Sequence, residues 1–310
     1  MTLDRYPSKS EFRSSPGFGE FAEHQAKVGV TLKGVAETLF IPLVARAFDA
    51  TTQRPILGDT YAKGVLDQLD YDFDKATLAP GNCAKIVLRT RQFDRWTTSF
   101  LAAHPHSTVL HLGCGLDNRA QRVEWSSDTL WIDVDLPEVI ALRQHVLPQP
   151  FSRRDYRLIG ASVTDSAWLE DIPADRPTVV VMEGLLSYLI EEDVLGLLSR
   201  LVNRLQEGEL LFECVNTAVL SSLRKGNIKT VERTGAQFHW AIDDLKKLQD
   251  IHPRLEILES ICFVEAPGVE ELSLSSRATM YLLSWVPSIR ESVRFIRLGF
   301  SPEVSGQAYD

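Results

Sequence analysis

Cysteine is scarce in the 310-residue chain, and the four present, Cys83, Cys114, Cys214 and Cys262, include no CxxC pair. Their wide spacing argues against a disulfide frame or a zinc site and fits a reducing compartment, so the expected location is the cytoplasm. Long apolar runs are missing too. The longest candidate, "TVVVMEGLLSYLI", carries Glu183 in its middle and falls short of the roughly 20 residues that a bilayer crossing needs. The first stretch, "MTLDRYPSKSEFRSSPG", lacks the apolar centre of a secretory signal, and residues 1–20 are expected to form a flexible leader. Basic residues are outnumbered, 33 against 42 acidic, for a net charge of −9. A nucleic-acid partner needs a basic face, so none is expected, nor is a membrane partner. No GxxxxGK[ST] occurs, which excludes a phosphate loop. His104, His106 and His111 show no metal-ligand spacing, and no metal is implied.

What is present is an ordinary globular composition, long enough to bury a substantial core. From Val28 to Phe48 the apolar spacing is helical and is interrupted by Pro42, which predicts two helices or one kinked helix. "CAKIVLRTRQFDRWTTSFLAAH" predicts a second helix with Ile86, Val87, Phe93, Trp96 and Phe100 on its apolar side. After His106 the texture changes. Short β-branched runs, "STVLHLG", "DTLWIDVDL", "YRLIGASV", "PTVVVMEG" and "GELLFECVN", alternate with helical stretches such as "PEVIALRQHVL" and "EEDVLGLLSRLVNRL". Such alternation predicts βαβ units around a mostly parallel sheet. Beyond them, "AIDDLKKLQDIH" reads as a helix. "RLEILESICFVE" and "RATMYLLSWV" read as two more strands whose connecting loop fits a β-hairpin or an antiparallel edge addition, and "SIRESVRFIRLGF" as a closing helix or strand.

The stretch "TVLHLGCGLD" ends a strand in two glycines, Gly113 and Gly115, where backbone can approach a ligand closely. Residue 118, where a dinucleotide fingerprint has its third glycine, is Asn118. About 20 residues further on, "WIDVDLP" supplies Asp133 and Asp135. Asp135 either holds ribose hydroxyls or caps the helix opened by Pro137; Asp133 is given a capping or supporting role. A glycine turn and an acid without phosphate machinery predict a nucleoside lacking phosphate, which points to S-adenosylmethionine.

The stretches "ETLFIPLVARA", "GDTYAKGV", "LRTRQFDRWTTSFL", "VLHLGCGLDNR", "IDVDLPEVIALR", "VVMEGLLSYL" and "FHWAIDDLKKL" run in order from Glu37 to Leu248. Together they resemble the leucine carboxyl methyltransferase family, most closely its polyketide O-methyltransferase branch. The resemblance implies a Rossmann-like class I methyltransferase fold: α/β, with a mostly parallel seven-stranded sheet, an antiparallel last strand and a helical N-terminal cap. It divides the chain into a cap over 21–106 and a cofactor-binding domain over 107–310, with an acceptor-side insertion near 217–250.

Carried over position by position, the resemblance implies that Arg89 holds the methionine carboxylate of S-adenosylmethionine, a task suited to a planar guanidinium. Gly113 and Gly115 meet the methionine part, Asp135 the ribose, Ser162 and Val163 the adenine, and Glu183 lies near the cofactor. Many relatives carry an acid where Ser162 stands, which leaves Asp165 as a substitute. Glu183 has a second reading as a buried ion partner of Arg89, and Arg91 reads as a surface or supporting charge.

For the acceptor the resemblance points under the N-terminal helices and to the insertion. Arg46 and Trp240 are the expected substrate-binding residues, and Tyr188 and His239 the catalytic candidates. Arg46 reads equally as a solvated helix charge, Tyr188 as packing and His239 as structural. The expected activity is O-methylation of a small-molecule carboxyl or hydroxyl, with S-adenosylhomocysteine as the second product. The alternatives are carboxyl methylation of a protein C-terminus, a non-methylating protein that keeps the cofactor site, and a nicotinamide oxidoreductase. Monomer and homodimer remain equally open.

Overall fold

Short runs of aliphatic residues without polar alternation require cover on both faces, and two runs buried throughout take the middle of the sheet. β1 (Thr108–Leu112) and β4 (Thr178–Met182) are buried at every residue and pair in parallel, with Leu110 opposite Val180. The structure, a computed structural model, describes residues 26–147, 155–226, 229–272 and 274–302; the leader expected over 1–20 lies outside them. β2 (Leu130–Asp135), β3 (Tyr156–Gly160), β5 (Gly208–Val215), β6 (Leu255–Cys262) and β7 (Val293–Phe300) complete a seven-stranded sheet. Its order is β3-β2-β1-β4-β5-β7-β6, and β7 alone runs against the direction of the other six. The order reverses between β1 and β4, which opens a crevice at the carboxyl ends of those strands.

The longer helices are α1 (Phe40–Ala50), α2 (Thr60–Gln68), α3 (Pro80–Ala103), α4 (Pro137–Val146), α5 (Glu191–Arg204), α6 (Thr217–Arg224) and α7 (Leu274–Ser284). On one face of the sheet, α3 lays Phe93, Trp96 and Phe100 onto Val109, Val179, Val181, Leu211 and Phe295. On the other, α5 sets Val194, Leu197, Leu198 and Leu201 against Leu110, Leu112, Val180 and Met182. A third cluster joins Phe40, Leu43 and Val44 of α1, Val65 of α2, and Val139 and Val146 of α4. Burying each such side chain is worth about 1.5–3 kcal/mol, which ties the N-terminal helices to the edge of the crevice. No helix among the described residues is long and apolar enough to cross a membrane.

The structure departs from the expected elements in four places. Pro42 does not kink a helix: it sits in the first turn of α1, where the missing N–H has no intrahelical partner to lose. Upstream, Val28–Gly29 forms a short parallel ladder with Leu69–Asp70 in place of helix. "RATMYLLSWV" lies in and just beyond α7, not in a strand, and no hairpin precedes it. Ala, Met and Leu favour helix and the run lacks period-two alternation. Its Met280 packs near Leu88 and Leu272, while Tyr281, Leu282 and Trp285 stay exposed. "SIRESVRFIRLGF" supplies β7 instead. In "AIDDLKKLQDIH" only Lys246–Gln249 is helical. Asp244 accepts from the Lys246 N–H, a local bond that competes with a longer helix, and Asp243 is held by the distant Thr217.

Candidate cofactor and acceptor site

The turn after β1 is built by two glycines in the left-handed region, Gly113 at φ +65° and Gly115 at φ +49°. A Cβ on Gly113 would lie 3.2 Å from Leu185, so both the conformation and the space call for glycine. The turn is held at two points by β2 and α4. Asp135 accepts from the Gly115 N–H and the Leu136 N–H, both at 2.7 Å. Arg143 Nη1 donates to the Gly115 carbonyl at 2.9 Å. Arg143 is aimed by Asp133, whose carboxylate takes Arg143 Nη2 at 2.5 Å, the Tyr156 hydroxyl at 2.6 Å and the Trp131 indole at 2.8 Å. Burial works to raise the Asp133 pKa, but Arg143 and His111 outweigh it and bring it down to about 2. Asp133 therefore caps no helix; it anchors the arginine beneath the glycine turn. Asp135 differs: burial exceeds its two N–H bonds and pushes its pKa up.

Beyond the turn, arginines and carboxylates alternate along the crevice floor. Arg46 pairs with Asp59 at 3.0 Å, Arg122 with Asp94 at 2.6 Å and Asp117 at 2.9 Å, and Arg119 with Asp94 at 2.7 Å and Glu183 at 2.5 Å. Arg89 of α3 spans the last two acids: Nε to Glu183 and Nη1 to Glu213, each at 3.0 Å. Thr90 also donates to Glu183, at 2.7 Å. Burial alone would raise Glu183, yet Arg89 and Arg119 hold it well below the ordinary carboxylate range. Glu213 shifts the other way: burial raises it and Glu183 adds to this, against the pull of Arg89. Among the described residues, Arg89 Nη2 has no hydrogen-bond partner, which leaves one edge of the guanidinium for a ligand.

These groups surround a cavity of about 850 Å³. Arg89, Gly113, Gly115, Asp135, Ser162, Val163 and Glu183 all line it, as do Arg46 and Tyr188. Distant stretches of sequence thus meet around one space with the size and polarity of a nucleoside–amino acid pocket: an acid on one strand tip, glycine backbone on the next, and a guanidinium edge beyond.

The sequence profile of the leucine carboxyl methyltransferase family matches residues 39–202. Tetracenomycin polyketide synthesis O-methyltransferase TcmP of Streptomyces glaucescens is 37% identical over 271 residues, 87% of this chain and 98% of that protein. The chain belongs to the leucine carboxyl methyltransferase family. It is an S-adenosylmethionine-dependent methyltransferase. A second relative, S-adenosyl-L-methionine-dependent methyltransferase dpfgK of Gibberella zeae, is 35% identical over 246 residues, 74% of this chain and 83% of that protein. A solved structure from Thermobifida fusca superposes with a TM-score of 0.56 over 87% of this chain and 95% of its own, at 17% identity, a likeness of fold.

Within this family frame, three acceptor-side expectations need correction. Arg46 is neither solvated nor free to clamp a substrate: it is 2% exposed, with Nε on Asp59 and Nη2 on the Leu116 carbonyl, both at 3.0 Å. Trp240 lies in the core beside Phe212, with ring centroids 6.3 Å apart, and is not part of the cavity wall. His239 is half-buried off the cavity, its backbone N–H bonded to the Ser187 carbonyl at 2.8 Å. For the last two the reason is shared: the chain at 239–240 meets the turn after β4 through its backbone, both N–H groups bonding the Ser187 carbonyl, and these side chains lie off the cavity. Tyr188 does line the cavity, stacked on Phe238 at 4.8 Å. Burial pushes its hydroxyl up to about 12, so it keeps its proton near neutral pH and cannot act there as a base.

Arg91, two residues from Arg89, points away and binds Glu271 and the Pro267 carbonyl. Asp165 does not line the cavity; Ser162 does, with its hydroxyl 2.7 Å from that of Thr164. The sequence reading missed Arg119, Arg143 and Glu213. Charged residues in or beside buried apolar strands, as in "LDNR" and "LLFECVN", were the available signal.

Proposed function

We propose that the chain transfers the methyl group of S-adenosylmethionine to a carboxyl oxygen of a small, largely apolar acceptor of the polyketide kind. The donor supplies a methyl on an already activated leaving group, so the protein's part is alignment and exclusion of water. Arg89, through its open Nη2 edge, suits the methionine carboxylate. Gly113 and Gly115 allow close approach, Asp135 suits the ribose hydroxyls, and Ser162 and Val163 flank the base. Glu183 is read as the partner that aims Arg89.

The observation that carries the carboxyl reading is the absence of a histidine base among the described cavity residues. The one histidine in the wall, His111, sits 3.1 Å from Arg119 and 3.5 Å from Asp133 within the buried ion chain. A carboxylate acceptor is ionised at neutral pH and needs no base, whereas a phenol does. The family's description and the name of the Streptomyces relative support oxygen as the target and a polyketide as the kind of acceptor. Transfer of labelled methyl to aromatic carboxylic acids, compared with their hydroxyl counterparts, tests the reading. Methylation of the hydroxyl compounds alone would sink it.

A further inference from the structure

Among the described residues, four lysine and arginine side chains line the cavity: Arg46, Lys85, Arg89 and Lys229. Arg46 is spent on Asp59, and Arg89 on Glu183 and Glu213. Lys85 and Lys229 have no carboxylate partner among the described residues. Of these two, Lys85 is the one fixed on a long helix. Asn82, Lys85, Ile86 and Arg89 recur on α3 at a spacing of three and four residues, which puts them on one face, and all four line the cavity. Lys85 is exposed, so it stands where the cavity opens, about 6 Å along the helix axis from Arg89.

The helix by itself gains nothing from a lysine there. Its neighbours one turn away are Gly81, Asn82, Leu88 and Arg89, so no acid is within reach along the helix and a like charge sits four residues on. Like charges at that spacing destabilise a helix. Two acids offset the charge of Arg89, and none offsets that of Lys85. Much of the remaining wall is apolar, with Leu39, Ile86, Val219, Leu223, Val231 and Phe238 in it. An anion brought against such a wall needs a cation beside it. The chain as a whole, at a net charge of −9, repels an anionic acceptor, which gives an unspent cation at the opening its worth.

We propose that the Lys85 ammonium holds the acceptor's carboxylate, selects anionic acceptors over neutral ones, and releases the product once it is esterified. This rests on the carboxyl reading above. A carboxylate oxygen attacks the methyl carbon, and the carbon–sulfur bond breaks with its electron pair left on sulfur. The negative carboxylate and positive sulfonium become a neutral ester and a neutral thioether. Lys85 keeps its proton throughout and transfers nothing. The acceptor's charge is full in the bound state and fades in the transition state, so Lys85 strengthens binding rather than speeding transfer. The neutral ester has no charge for it to hold.

The test titrates the full chain, saturated with S-adenosylhomocysteine at neutral pH, with anthracene-2-carboxylate, its methyl ester and 2-anthrol. Turnover is followed with labelled S-adenosylmethionine. The wild type is expected to bind the carboxylate more tightly than the ester, by a margin that shrinks as salt is raised. Lys85→Gln weakens the carboxylate about fivefold to tenfold and leaves the ester and the anthrol within about twofold, while Lys85→Arg restores most of the carboxylate affinity. In turnover the loss falls on KM, with kcat within about threefold. Equal carboxylate affinity in the wild type and Lys85→Gln overturns the proposal. An equal loss for the ester overturns it too, because Lys85 would then act by packing and not by charge. So does a fall in S-adenosylhomocysteine affinity in Lys85→Gln, since Lys85 would then hold the donor's carboxylate beside Arg89. If Lys85→Gln weakens the carboxylate alone but labelled methyl goes only to the anthrol, the anion seat stands and the carboxyl reading of the function fails instead.

Discussion

Asp133 and Arg143 meet at 2.5 Å in a dry interior, and the same guanidinium holds the carbonyl of Gly115, whose N–H is held by Asp135. The pair ties the glycine turn to the sheet, so its removal acts at both places. Arg143→Leu leaves a buried carboxylate unpaired, at a cost of about 3–5 kcal/mol. It should lower the thermal midpoint and weaken S-adenosylhomocysteine binding together, measured by calorimetry. Asp133 also makes folding acid-sensitive. Its folded pKa, about 2, lies below the ordinary 3.8, so its contribution of about 2 kcal/mol is present above pH 4 and lost as pH falls toward 2. Denaturant midpoints followed from pH 5 to 2 should show that loss, and Asp133→Asn should flatten it.

Arg89 has two jobs that separate by variant. Arg89→Ala removes the open guanidinium edge and leaves Glu183 and Glu213 without their shared partner. We expect at least a tenfold loss of S-adenosylhomocysteine affinity, and lower stability as well. Arg89→Lys keeps the charge but not the fork, and should recover stability better than affinity. Unchanged affinity in both variants would remove Arg89 from the cofactor site.

Two glycines should respond in opposite directions. Gly113→Ala forces a side chain into the left-handed region 3.2 Å from Leu185, and should cost about 1–2 kcal/mol and weaken cofactor binding. Gly64 sits exposed inside α2, and a methyl group added there would meet nothing within 4 Å. Gly64→Ala should stabilise the chain by about 0.5–1 kcal/mol and leave turnover unchanged. Chemical denaturation of both, alongside a binding titration, checks the contrast.

Tyr188 lines the cavity with a hydroxyl whose pKa burial raises to about 12. Tyr188→Phe should therefore leave the shape of the pH–rate profile between pH 6 and 9 as in the wild type, with kcat changed by less than about tenfold. Loss of an ionisation from that profile would give the tyrosine a catalytic role.

The glycine turn and the acids beside it were legible in the sequence because their signals are local. Two glycines ending an apolar strand, an acid ending the next, and the run "VVVMEG" each name their position on a strand tip, and parallel strands bring all such tips to one edge. Period and composition likewise sufficed for the central strands and for α3. "RATMYLLSWV" was misread as strand although it lacks period-two alternation, and its one docked side chain, Met280, packs near Leu88.

The acceptor side was not legible, since its residues gain meaning only through contacts far apart in the chain. Nothing in "VARAF" shows that Arg46 will be bound by Asp59 and the Leu116 carbonyl, and nothing in "FHWAI" sends Trp240 to the core beside Phe212. Nor does "LLFECVN" show that Glu213 will share Arg89 with Glu183, a residue 30 positions earlier. The sequence by itself determined the sheet, its glycine turn and the family. Which charges are spent on one another was decided only by tertiary structure, because burial sets the worth of a charge and burial is a property of the whole fold.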